Sequence, residues 1–442
     1  MTGFEKSTLS LFSSGGLGDL AVRQAGFDIL VSNELLKDRH EVFHNNFPQV
    51  SCISGDIWEK LDEIEAETRR RLNGKSLGLL YATPPCQGMS KNGRGKLLNA
   101  IRAGKKPPLD LRNRLIIPTM ELAKRLRPEV IILENVPEMA STFIQDSSEE
   151  PINIVDYIRK ALGPDYAGCA EKVEFADYGV PQRRQRLISV FSRNAELKAW
   201  LAIGGSFLPQ PTHSCGGEGG TLPWVTVREA LKGLPELDAK SRDTATSEVP
   251  FHRVPVLDSM KYWWVKHTPP GCGAFDNQCI ACGYSENPAH KASRGANGIN
   301  KASLMTPLFC QECGEMLPRP SVERDGNRVL MKGFTSAYRR MVFDKPASAL
   351  TRNLSYACSD KKLHPVQNRV LSLQEAFRVH SLDHYNFNWL RQDGKQVSDK
   401  TIREIIGESI PPFGFQVILE HITDILNGKH HPESNAGPLF CT

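Results

Sequence analysis

Leu9-Ser10-Leu11-Phe12-Ser13-Ser14-Gly15-Gly16-Leu17-Gly18-Asp19 reads as a short apolar strand, a turn of small residues and the opening of a helix that continues through Ala21 and Val22. Small residues let the backbone approach a ligand closely, and open α/β sheets bind their ligands at the carboxyl ends of strands. The same turn also suits a strand-to-helix connection that binds nothing. Its context points to a ligand. Glu34 stands 18 residues past Gly16, after a second apolar stretch, where a carboxylate accepts hydrogen bonds from ribose hydroxyls. Asp56, after Gly55 and a third short apolar stretch, is placed to meet an adenine amino group.

Outward from that turn, short apolar runs alternate with amphipathic segments from Ser7 to about Phe191, which predicts βα units stacked into a parallel, Rossmann-like sheet. Strands are expected at Ser7 to Phe12, Ile29 to Ser32, Leu77 to Ala82, Val130 to Leu133 and Leu187 to Phe191. In the helix expected from Asp56 to Leu72, Trp58, Leu61 and Ile64 share one face. After Arg193 the texture turns to Gly, Pro and Ser, and a second module starts near residue 200. A final helix is expected from Phe413 to Asn427, between Pro411-Pro412 and Gly428.

The 442 residues suffice for two or three domains. The start lacks an apolar run long enough for a signal peptide, and nothing in the sequence spans a membrane, so a cytoplasmic protein is expected. The net charge of +5 is mild but regional: residues 251 to 345 hold 13 Lys and Arg against 8 Asp and Glu, interspersed with Tyr262, Trp263, Trp264 and Phe275. That composition favours a nucleic-acid partner. Eleven cysteines in such a chain suit thiols and zinc better than disulfides. Cys279-x-x-Cys282 and Cys310-x-x-Cys313, each followed by glycine, have the spacing of a four-thiolate zinc ribbon, which leaves no open position and is therefore structural.

The chemistry-bearing residues stand behind strands. The run Leu77 to Ala82 delivers Thr83-Pro84-Pro85-Cys86 to the carboxyl edge of the sheet, and Val130 to Leu133 delivers Glu134 to the same edge. Cytosine carbon 5 is too weak a nucleophile to take a methyl group unaided. Addition of a thiolate at carbon 6 gives it carbanion character, a carboxyl group at N3 lowers that barrier, and an arginine at O2 holds the growing negative charge. Cys86, Glu134 and either Arg184 or Arg186 of Gln182-Arg183-Arg184-Gln185-Arg186 supply those groups. A dehydrogenase would use a similar glycine turn, but nothing else here serves hydride transfer.

These residues, in this order, resemble the DNA (cytosine-5)-methyltransferases of the bacterial restriction-modification type. The similarity runs from Phe12 to Gly18 through Asn33-Glu34, Gly55-Asp56-Ile57, Pro85-Cys86-Gln87, Asp110 to Leu115, Glu134-Asn135-Val136 and Gln182 to Arg186 to Arg369, Leu371 to His380 and Ile406 to Pro412. The resemblance implies an S-adenosylmethionine-dependent methyltransferase sheet with a smaller zinc-containing target-recognition domain inserted near the C-terminus. Residues 1–195 would form the catalytic, cofactor-binding domain and residues 196–345 the hinge and target-recognition domain, with its ribbon at 279–313. Residues 346–442 would complete the hinge and return a helix to the first domain. Cys86 would attack carbon 6, Glu134 engage N3, Arg186 hold O2 and Arg184 support the pocket. Phe12 would flank the adenine and Leu115 its other face, with Glu34 on the ribose and Asp56 and Ile57 at the adenine edge. Ser14, Gly16, Pro85, Glu408 and Ile410 complete the implied donor site. Ser14 stands where the family usually has glycine, Glu408 where asparagine is commoner, and Leu35 where some relatives place an aromatic residue.

The implied partner is double-stranded DNA, met by a monomer, with a cognate nuclease or other defence proteins as further partners and no membrane. The basic, glycine-rich Ser90 to Lys96 suits a loop closing over DNA around a flipped base. Two other readings stay open on the sequence: a DNA-binding protein that keeps the fold without catalysis, and methylation of RNA by the same cysteine chemistry.

Overall fold

The computed structural model describes residues 4–85, 111–145, 151–290, 292–294, 300–302, 306–331 and 335–429. Seven strands form the central sheet: β1 Ser7–Leu11, β2 Asp28–Glu34, β3 Ser51–Ser54, β4 Leu79–Ala82, β5 Val130–Asn135, β6 Ala167–Glu174 and β7 Gln185–Ser192. They lie side by side in the order β3, β2, β1, β4, β5, β7, β6. The first five are parallel, as the βα pattern predicts. Against the expectation of a wholly parallel sheet, β7 runs antiparallel to both β5 and β6. The physical reason is the connection: β6 returns directly into β7 through the short segment 175–184, and an antiparallel return needs no crossover helix.

The period of two along the strands divides the apolar side chains between two faces. Leu79, Tyr81, Val130, Ile132, Ile188 and Val190 pack beneath the helices Leu17–Gln24 and Pro412–Leu426. Leu80, Ala82, Ile131, Leu133 and Leu187 pack beneath Ile57–Leu72, Ile116–Leu126 and Ile154–Leu162. Each large aliphatic side chain buried this way contributes roughly 1.5–3 kcal/mol. The helix Pro412–Leu426 thereby shares a core with the helix that follows the glycine turn, although the two stand near opposite ends of the chain.

Helix ends follow their caps. Asp56 accepts from the Trp58 backbone N–H at 3.0 Å to open Ile57–Leu72, and Asn73 closes it in the left-handed region. Ser372 and Glu375 form a capping box at Leu373–Val379. The buried stripe of Ile57–Leu72 is Ile57, Ile64, Thr68 and Leu72. Trp58, expected on one face with Leu61 and Ile64, instead stays 43% exposed, because it lies about 100° around the helix from Ile57.

A second, smaller core gathers Leu237, Trp264, Phe275, Tyr338, Leu363 and Val370. Arg340 is buried in it and donates to the carbonyls of Thr268, His364, Gln367 and Val265. Among the described residues no helix is long and apolar enough to cross a membrane.

Candidate active site and cysteine cluster

A cavity of about 880 Å³ opens at the carboxyl ends of β1, β2, β4 and β5. Its floor is the turn after β1, where Phe12, Ser14 and Gly16 have φ of 59°, 49° and 89°. Left-handed backbone at Ser14 is the conformation glycine adopts without steric cost, which accounts physically for a small residue there. Gly16 does not line the cavity; a Cβ on it would lie 2.6 Å from the Phe47 ring, so it serves the turn and its packing.

Glu34 ends β2 and lines the cavity. Its two carboxylate oxygens accept from the backbone N–H groups of Ser14 and Leu36, each at 2.8 Å. Burial pushes its pKa up, opposed by those hydrogen bonds and by Arg39. Phe12, Ser14, Asp56, Ile57, Pro85, Leu115, Glu408 and Ile410 line the same cavity, as do Glu134 and Arg186.

Strand parity brings the last two together. Glu134 continues the face of Val130 and Ile132, and Arg186 the face of Ile188 and Val190 on the neighbouring strand. The Arg186 Nε lies 2.7 Å from the Glu134 Oε1, with both side chains nearly buried. Burial raises the Glu134 pKa, and Arg186 and Arg184 oppose that rise. A carboxyl group poised this way holds a proton above the ordinary carboxylate range and can hand it to a base.

Cys86 and the segment Ser90 to Lys96 lie outside the described residues. The turn leading to Cys86 is described and is tied down twice. The Thr83 hydroxyl donates to the Phe12 carbonyl at 2.9 Å, and the Asn135 side chain donates to the Pro84 carbonyl at 3.1 Å. The sequence marks Asn135 only by its place directly after Glu134 at a strand end.

Arg184 does not line the cavity. It is 1% exposed, and its guanidinium donates to the carbonyls of Leu350 at 2.7 Å, Gly407 at 3.0 Å and Ser409 at 2.5 Å. Gln182, two residues earlier on the same face, accepts from the Leu350 N–H and donates to the Val379 carbonyl. The alternation Gln182, Arg184, Arg186 therefore splits into two clamps on the C-terminal segment and one cavity residue. At the rim, Arg39 pairs with Glu408, and Arg352 bridges Glu404 at 2.9 Å and Glu408 at 3.3 Å. This network, unanticipated in the sequence, joins the helices Lys37–Asn46 and Asp399–Glu408 across the cavity mouth.

The Sγ atoms of Cys279, Cys282, Cys310 and Cys313 all lie within 4.8 Å of one another. Three of the separations are 3.5, 3.6 and 3.8 Å, against about 3.8 Å for thiolates arranged tetrahedrally around zinc at ~2.3 Å. Gly283 and Gly314, with φ of 76° and 74°, turn each knuckle. Backbone N–H groups of Cys282 and Ala281 hold the Cys279 thiol below its ordinary value. Against a lowering backbone N–H of Glu315, the Cys282 side chain helps push Cys313 up to about 12. Thiols this close ionise together only beside a cation.

The family profile of the C-5 cytosine-specific DNA methylases matches residues 6–424. The chain is 28% identical over 425 residues to the type II methyltransferase M1.HgaI of Avibacterium volantium, covering 94% of this chain and 96% of that protein. It is 24% identical to the type II methyltransferase M.AgeI of Thalassovita gelatinovora, covering 94% and 98%. Its fold is similar to a solved DNA modification methyltransferase encoded within an E. coli prophage, with a TM-score of 0.52 and 19% identity over 95% of this chain and 99% of that one.

Proposed function

Because the chain belongs to the C-5 cytosine-specific DNA methylase family, we propose that it methylates carbon 5 of a flipped cytosine in a specific double-stranded DNA sequence, using S-adenosylmethionine, within a restriction-modification or phage-defence system. The observation that carries this reading is the Glu134–Arg186 pair in the same cavity as the glycine turn, Glu34 and Pro85.

S-adenosylmethionine, when bound, supplies an electrophilic methyl group. Phe12, Ile57 and Leu115 offer apolar surface for its adenine, Asp56 the adenine edge, and Glu34 the ribose. Glu408 and Ile410 bound the cavity from the C-terminal side. The Cys86 thiolate adds to cytosine carbon 6, and the electrons of the C5–C6 double bond move to carbon 5. Glu134 protonates or hydrogen-bonds N3, and Arg186 holds O2, where negative charge accumulates. With S-adenosylhomocysteine as the leaving group of the methyl transfer, water would take the carbon-5 proton, N3 would return its proton to Glu134, and expulsion of the Cys86 thiolate would restore the double bond. Arg184 acts as a positioning residue through the segment it clamps.

The four cysteines would hold a structural zinc that rigidifies the DNA-reading part of residues 196–345. Expression in a host lacking cytosine methylation, followed by mapping of modified cytosines, tests the whole reading. Methylation at one sequence context is expected from the wild type and none from Cys86→Ala; an equally active Cys86→Ala refutes the mechanism.

A further inference from the structure

We propose that Trp58 is a donor-binding residue whose indole stacks on the adenine of the bound cofactor. The inference rests on the S-adenosylmethionine reading above. Three apolar side chains in the cavity lining are left well exposed: Leu35 at 60%, Leu36 at 46% and Trp58 at 43%. Only the indole among them has a flat face. The helix that carries it buries Ile57, Ile64, Thr68 and Leu72, so the core makes no use of the ring. Leaving 43% of a tryptophan in water forfeits part of one of the largest apolar burials a side chain offers, and a ligand in the cavity recovers that part.

The backbone makes the assignment more specific. The Trp58 N–H holds the Asp56 carboxylate at 3.0 Å. The carboxylate proposed to meet the adenine edge and the ring proposed to cover its face are thus set by the same first helical turn. Replacing the side chain leaves that backbone hydrogen bond in place, so a substitution isolates the ring.

The test is calorimetric and fluorescence titration of the full chain with S-adenosylhomocysteine, comparing wild type, Trp58→Phe and Trp58→Leu. Stacking on an aromatic side chain predicts about a tenfold weaker affinity in Trp58→Leu, most of it restored in Trp58→Phe, with the thermal midpoint unchanged in both. The donor KM rises with kcat and the DNA KM little altered. Tight binding by Trp58→Leu overturns the proposal. A wild type that binds no S-adenosylhomocysteine overturns the donor reading, and this inference with it.

Discussion

Replacing Arg184 by methionine should loosen the C-terminal segment from the sheet before it touches chemistry. The guanidinium is buried and donates to three carbonyls, those of Leu350, Gly407 and Ser409. Methionine fills much of the volume and leaves all three acceptors without this donor. Each buried acceptor so orphaned costs about 1–3 kcal/mol. Water entry and the relieved desolvation of the charge offset part of the sum, so the low end, about 3 kcal/mol, is the expectation. Amide hydrogen exchange across 405–418 reads it as opening on the order of a hundredfold more frequent, since 1.4 kcal/mol is about tenfold. Because Glu408, Ser409 and Ile410 line the cavity, affinity for S-adenosylhomocysteine should fall in parallel. Exchange unchanged in Arg184→Met, together with lost activity, would refute the clamp and return Arg184 to a direct catalytic role.

Glu134→Gln keeps the shape but removes the titrating proton, and single-turnover methylation should slow by about 10²–10⁴ while DNA binding persists; an undiminished rate would exclude Glu134 from proton transfer. Elemental analysis should find one zinc per chain, lost in Cys279→Ser with Cys282→Ser, and metal-free wild type would sink the ribbon assignment. Asp19 is 1% exposed, and burial raises its pKa from 3.8 to about 7. The folded state therefore holds this proton after the unfolded state has released it, so stability falls as pH rises from about 4 to 7, by up to roughly 4 kcal/mol at 1.36 kcal/mol per unit. Asp19→Asn should flatten that part of the stability profile; an unchanged slope would assign it to other groups. Asn135→Ala frees the Pro84 carbonyl and should lower kcat more than it weakens cofactor binding, measured by steady-state kinetics beside calorimetry.

What the sequence makes legible is whatever depends on short-range pattern. β4 and β5 are buried on both faces, so they read as apolar runs, and the residues following them fall at the carboxyl edge by necessity. Cysteine spacing likewise announces a cluster. Strand direction leaves no such mark: Leu187 to Phe191 is equally apolar run either way, and its antiparallel course becomes visible only with β6, whose Ala-Gly-Cys-Ala-Glu-Lys-Val-Glu is half-exposed and buries Val173 well but little else. Arg184 reads like Arg186 because both carry the same charge two residues apart. Their difference comes from partners 166 to 225 residues away in the chain, which no local pattern encodes. Trp58 misleads for the opposite reason: an apolar residue at helical spacing is normally core, and only the position of the cavity shows that this one lines it instead. Residues that break a good local pattern without a packing partner are therefore where function is best sought in this chain, and Trp58 is the one whose substitution tests that directly.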